Sequence, residues 1–204
     1  MPKKLLSLGT DGKLVLKLSD GRVEELPKAE STFQIALLLI DCSGSMAGNK
    51  LEQAQSGAAT FAIDALDKNY FVGLVQFADN ATFACKPTRD ISNLRQHIEN
   101  LTAGGGTNMT HALQLATEEL TPINGLRAIV VVTDGMPNDP TTTLSMAQRA
   151  KKNGIEIIAI GTDDADKDFL NKLASRSDLM IKVSRELLGQ SVASAAKMLS
   201  SSSR

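Results

Sequence analysis

Short aliphatic and β-branched runs alternate, from residue 33 to residue 183, with longer segments whose apolar positions recur every three or four residues. The runs at 33–40, 71–77, 128–133 and 155–160 are nearly continuous in apolar character, which suits strands covered on both faces. Residues 82–85 follow their predecessor through Ala78, Asp79 and Asn80 and read as an antiparallel hairpin partner at an edge. Residues 179–183 would close the other edge. Helical spacing predicts helices over about residues 49–66, 91–100, 108–120, 141–152, 167–175 and 185–200. In the second, Asp90 precedes Ile91, Leu94, Ile98 and Leu101, a pattern that buries one face and leaves His97 at the surface. This alternation predicts an α/β fold: a doubly wound, mostly parallel central sheet with one antiparallel edge strand and helices on both faces.

The first 30 residues have a different rhythm. Residues 13–18 and 22–26 flank Ser19, Asp20 and Gly21, and Asp-Gly between such runs signals a hairpin. A two-residue turn at Asp20 and Gly21 sets Lys17 opposite Glu24. Asp11 and Gly12 offer a second turn and hence a three-strand meander. The chain thus divides into an N-terminal β-hairpin extension, 1–30, and a main domain, 31–204. Two or three strands alone are marginal, so the extension must lean on the main domain or on a partner.

Charge narrows the partners. The 22 basic and 23 acidic residues give a net charge of -1, no field for a polyanion, so nucleic acid is not expected. Residues 1–30 lack the features of a secretory signal and the longest apolar run, 35–40, is far too short to span a bilayer, so a cytoplasmic location without membrane contact is expected. Cys42 and Cys85 have no metal-site spacing and read as reduced thiols.

The chemistry concentrates in Ile40-Asp41-Cys42-Ser43-Gly44-Ser45-Met46, directly past the strongest buried strand, where open parallel sheets bind ligands. Asp41, Ser43 and Ser45 alternate, so a tight loop can aim one carboxylate and two hydroxyls at a common point. Two further loops at the same sheet edge supply oxygens: Gly104-Gly105-Gly106-Thr107 and Thr133-Asp134-Gly135. The triple glycine permits the close approach that brings Thr107 inward. Oxygen-only donors select hard cations such as Mg²⁺ or Mn²⁺.

Asp41, Ser43 and Ser45, followed by Thr107 and Asp134, resemble the metal-ion-dependent adhesion site of the von Willebrand factor type A family, and element order over residues 33–183 agrees. The resemblance implies that Ser43 and Ser45 ligate the metal directly, that Asp41 and Asp134 bind directly or through water, and that Thr107 joins in the ligand-ready state. It also implies a partner protein whose Asp or Glu carboxylate completes the octahedron, and an adaptor role beside an AAA+ ATPase or stress-response complex. Family members couple the metal to movement of the final helix, here 185–200.

Other readings compete. Asp41 alone could be a helix N-cap or a strand-end carboxylate, and Ser43 and Ser45 a hydroxyl-rich turn. Neither GxxxxGK[ST] nor GxGxxG is present, which argues against nucleotide binding. Asp163, Asp164, Asp166 and Asp168 lack the Gly and Glu of an EF-hand and read as a helix start, although one of them could reach the site rim. His111 reads as capping or supporting, and Cys42 as packed and inert. Met46, Met109 and Met136 follow site loops and could form an apolar rim. A metal-dependent phosphoesterase would need a general base and a basic clamp; Lys50 and Arg127 are the nearest cations and read as helix-surface and strand-start residues. The expectation is a binding module and not an enzyme. A third reading is a structural subunit that assembles through its N-terminal hairpin.

Overall fold

The computed structural model describes residues 4–8, 14–18, 23–25 and 33–200. Its strands are β1 (Lys4–Leu8), β2 (Leu14–Leu18), β3 (Val23–Glu25), β4 (Phe33–Asp41), β5 (Phe71–Phe77), β6 (Ala81–Thr88), β7 (Gly125–Thr133), β8 (Glu156–Thr162) and β9 (Met180–Val183). The helices are α1 (Asn49–Asp67), α2 (Ile91–Glu99), α3 (Met109–Leu120), α4 (Pro140–Lys152), α5 (Lys167–Leu173) and α6 (Leu188–Ser194). All strands join one sheet in the order β3-β2-β1-β6-β5-β4-β7-β8-β9. Parallel pairing runs from β5 through β4, β7 and β8 to β9, while β6 runs antiparallel to β5.

The six strands from β6 to β9 form the expected doubly wound unit. Strand β4 lies at its centre and is buried without interruption from Ile35 to Asp41, because helices cover both faces and every side chain must be apolar or fully bonded. Register aligns the C-terminal ends: Asp41 pairs with Phe77, and Ile40 with Val132. The loops that follow β4 and β7 therefore leave the sheet side by side.

Helix α1 buries Leu51, Ala54, Ala58, Phe61, Ala62 and Ala65 at helical spacing. It meets α6 backbone to backbone, for a Cβ on Gly57 would lie 2.4 Å from the Gly189 carbonyl oxygen. Lys68 Nζ donates to the Ala196 carbonyl and the Tyr70 hydroxyl to the Ser200 carbonyl, both at 2.8 Å, which anchors the last described turn.

Three expectations need correction. The final helix is not continuous over 185–200: 3₁₀ turns at Arg185–Leu187 and Ala195–Met198 flank the seven-residue α6. Gly189, Ser191 and Ser194 weaken helical propagation there. Helix α5 ends at Leu173 and not 175, because Ser175 turns to β8, its N–H donating to the Ile157 carbonyl and its hydroxyl accepting the Ile157 N–H. In the extension, Lys17 pairs with Val23, and Leu16 with Glu24, one position off the expected register. The three-strand meander itself is present, and β1 docks on β6 through Leu5 and Thr88. The extension thus leans on the main domain's sheet; the Asp11-Gly12 and Asp20-Gly21 turns lie outside the described residues.

Candidate metal centre

The Asp41 carboxylate is fully buried at the end of β4. Its Oδ1 accepts the Ser43 N–H at 2.8 Å, tightening the loop, and its Oδ2 accepts the Thr133 hydroxyl at 2.6 Å, tying β4 to β7. Burial pushes the Asp41 carboxyl above its ordinary range; hydrogen bonds from Thr133 and Ser43 oppose the rise. Asp41 therefore acts as the keystone between two loops and does not cap a helix.

From there a chain of oxygens leads outward. Ser43 Oγ lies 3.1 Å from Ser45 Oγ, and Ser45 Oγ donates to Asp134 Oδ1 at 2.8 Å. Ser43 and Asp134 are each 2% exposed, whereas Ser45 faces solvent. Thus four of the five residues singled out by sequence, Asp41, Ser43, Ser45 and Asp134, belong to one hydrogen-bonded cluster.

Thr107 is brought beside it by main-chain contacts. Gly44 N–H donates to the Gly105 carbonyl at 3.0 Å and Gly104 N–H to the Cys42 carbonyl at 2.8 Å, which stitches the glycine loop to the Asp-Ser loop. Thr107 N–H donates to Asn138 Oδ1, and Asn138 N–H to the Thr107 carbonyl, fixing Thr107 against the loop after β7. Gly105 adopts φ +81°, and Asp79 would stand 2.5 Å from a Cβ there; only glycine fits that conformation and that gap comfortably. Asp79 also accepts the Gly106 N–H at 2.8 Å. Sequence reasoning placed Asp79 only in the β5–β6 hairpin and missed this bracing role.

The larger omission is Lys50, read as a helix-surface residue. Its Nζ donates to Asp134 Oδ2 at 2.6 Å and to Asp164 Oδ2 at 2.8 Å, and its side chain is 13% exposed. Burial pulls the Lys50 ammonium down, but hydrogen bonds to the two carboxylates outweigh that and hold it above its ordinary value. Lys50 in turn lowers Asp164, first through its hydrogen bond and then through its charge. Asp164 is thus the acid of its cluster that reaches the rim, while Asp166 caps α5 through the Phe169 N–H.

The remaining candidates separate cleanly. His111 Nδ1 accepts the Ala81 N–H, a supporting role on the hairpin. Arg127 donates to the carbonyls of Leu120, Thr121 and Asn153, away from the site. Cys42 is buried and its thiol is pushed up to about 12, by burial first and by the Asp41 charge second. Met46 and Met109 are fully buried, so of the three methionines proposed as a rim only Met136, 45% exposed, can serve.

Among the described residues no group of three or more His, Cys, Asp or Glu could hold a metal. The cluster here differs in kind, for it offers hydroxyls and carboxylates without nitrogen or sulfur. That donor set fits a hard divalent cation such as Mg²⁺ or Mn²⁺.

A family model described as the von Willebrand factor type A domain matches residues 37–192. Human inter-alpha-trypsin inhibitor heavy chain H2 is 28% identical over 159 residues, covering 69% of this chain. The magnesium-chelatase 60 kDa subunit of Cereibacter sphaeroides is 25% identical over 189 residues, covering 83%. The chain spans only 17% and 33% of those two relatives. Among solved structures, the vWF domain of the type V pili tip protein Mfa5 from Porphyromonas gingivalis superposes with a TM-score of 0.74 at 16% identity, covering 83% of this chain and 96% of that one.

Proposed function

Because the chain belongs to the von Willebrand factor type A domain family, a family of protein-interaction modules, we propose that it binds a partner protein through a divalent cation held at the C-terminal edge of its sheet. The observation that carries this reading is the continuous oxygen cluster from Asp41 through Ser43 and Ser45 to Asp134, in a loop set that brings Thr107 alongside.

In this reading Ser43 and Ser45 ligate Mg²⁺ or Mn²⁺ directly. Asp41 and Asp134 hold it directly or through water, and Thr107 completes the set. When bound, the ion supplies an electrophilic position for one more oxygen ligand. Direct ligation by two neutral hydroxyls leaves much of its charge uncompensated, which favours an Asp or Glu carboxylate from the partner. Asp41, with both oxygens engaged by Ser43 and Thr133, positions the loop more than it donates.

Binding is favoured over hydrolysis by what the nearby groups are already doing. His111 is committed to the Ala81 N–H and Lys50 to two carboxylates, so neither stands free as a general base or a clamp for developing charge. The likeness to a magnesium-chelatase subunit supports seeking the partner in a multi-subunit assembly, in which this domain would act as an adaptor to the AAA+ ATPase or stress-response complex that the family resemblance implies. No helix among the described residues is long and apolar enough to cross a membrane.

The test is calorimetric titration of Mg²⁺ and then Mn²⁺ into metal-stripped protein, with and without glutamate, beside Asp41→Ala. One-site binding that vanishes in the variant is expected. Failure of the wild type to bind either ion at millimolar concentration, with or without carboxylate, would overturn the reading.

A further inference from the structure

Resting on that reading of the site as a divalent-cation centre, we propose that Lys50 sets its metal affinity: it is a tethered ammonium that competes with the metal for the Asp134 carboxylate. Both oxygens of Asp134 are in use. Oδ1 accepts the Ser45 hydroxyl at 2.8 Å and Oδ2 accepts Lys50 Nζ at 2.6 Å, on a side chain 2% exposed. A cation arriving at Ser45 and Asp134 meets a charge of its own sign already hydrogen-bonded to its carboxylate.

Helix physics does not explain a lysine here. Lys50 lies in the first turn of α1, where the helix dipole disfavours positive charge. The two carboxylates hold it, and each has a separate task. Asp134 needs a counter-charge when no metal is bound, because a nearly buried carboxylate without one is costly. Asp164, half-exposed at 50%, accepts the same ammonium at 2.8 Å and gives it a place to stay when a metal takes Asp134. Arg185 approaches the same Asp164 oxygen at 3.8 Å and competes for that refuge. The site thus exchanges one cation for another, and its affinity is the difference between the two.

The experiment compares Mg²⁺ affinity by calorimetry in wild type, Lys50→Met, Lys50→Gln and Lys50→Arg, with urea denaturation of each metal-free protein. Lys50→Gln keeps a hydrogen-bond donor for Asp134 without charge and guards against a folding failure in Lys50→Met. Removing the ammonium is expected to tighten Mg²⁺ binding by roughly 10- to 100-fold, to lower metal-free stability, and to enlarge the thermal shift on adding Mg²⁺. Lys50→Arg is expected to stay near wild-type affinity. Unchanged or weaker binding in both neutral variants, beside a wild type that binds, would overturn the role of Lys50 and leave the metal site standing. Absence of binding in all four proteins would overturn both.

Discussion

The Thr133 hydroxyl donates to Asp41 Oδ2 at 2.6 Å, so the last residue of β7 holds the last residue of β4. Both are fully buried. Thr133→Val keeps the shape and removes the donor, leaving a buried carboxylate oxygen unpaired. A loss of about 1–3 kcal/mol is expected in urea denaturation, with weaker Mg²⁺ binding because the Asp-Ser loop loses its anchor.

Asp41 itself opposes folding at neutral pH. Burial raises its carboxyl above the ordinary 3.8, so the native state holds the proton more tightly than the unfolded chain does. Its contribution is full below pH 3.8 and is lost as pH rises through the raised native value. Asp41→Asn removes this slope. Metal-free Asp41→Asn is expected to gain stability relative to wild type as pH climbs from 4 to 7, and to gain nothing from Mg²⁺. Urea midpoints across that range, with and without the ion, check both parts.

The glycines of the second loop are not equivalent. Gly105→Ala forces a side chain into φ +81° and against Asp79; a cost of about 1–3 kcal/mol is expected, together with weaker Mg²⁺ binding. At Gly104 nothing lies within 4 Å of a Cβ, and Gly104→Ala should leave thermal stability within about 0.5 kcal/mol of wild type. Equal losses at the two positions would count against the bracing role given to Asp79.

Helix α1 supplies a packing test. Alanine is intrinsically about 1 kcal/mol better than glycine inside a helix, yet a methyl at Gly57 would lie 2.4 Å from the Gly189 carbonyl and 2.8 Å from Val192 Cβ. The collision is with backbone and outweighs propensity. Gly57→Ala is expected to lower the urea midpoint and to raise hydrogen exchange in α6.

Both thiols should be inert in the native protein. Burial pushes Cys42 up to about 12 and Cys85 to about 11, from an ordinary 9, so little thiolate exists at pH 8. Slow reaction with a disulfide reagent is expected until urea is added. The native state again holds these protons more tightly, so stability is full below pH 9 and falls as pH rises toward 11 and 12.

Much of this was legible in residue order. Continuous apolar runs located the four central strands, the short Ala78-Asp79-Asn80 link placed the antiparallel strand beside them, and the β7 to α4 and β4 to α1 loops followed because parallel strands must deliver their C-terminal ends to one edge. Asp41, Ser43, Ser45 and Asp134 could be read for the same reason. Lys50 could not, since its partners Asp134 and Asp164 lie 84 and 114 residues away and nothing local distinguishes it from a solvated helix lysine. The break in the final helix escaped because apolar period persists through Leu188, Val192 and Leu199 while Gly189 answers to Gly57, a contact between distant segments. The meander register failed by one residue because two adjacent turn-forming residues at a strand junction do not specify an even loop length.

The two loops that frame the site are joined by Gly44 N–H to the Gly105 carbonyl and by Gly104 N–H to the Cys42 carbonyl, atoms that nearly every amino acid possesses. Around that join, a Cβ on Gly104 or Gly135 would meet nothing within 4 Å, and one on Gly44 only the Gly105 oxygen at 3.6 Å. The rim is therefore a blank palette: if a partner docks there as proposed, side chains added at these three positions would change what it meets while the frame beneath them stays in place.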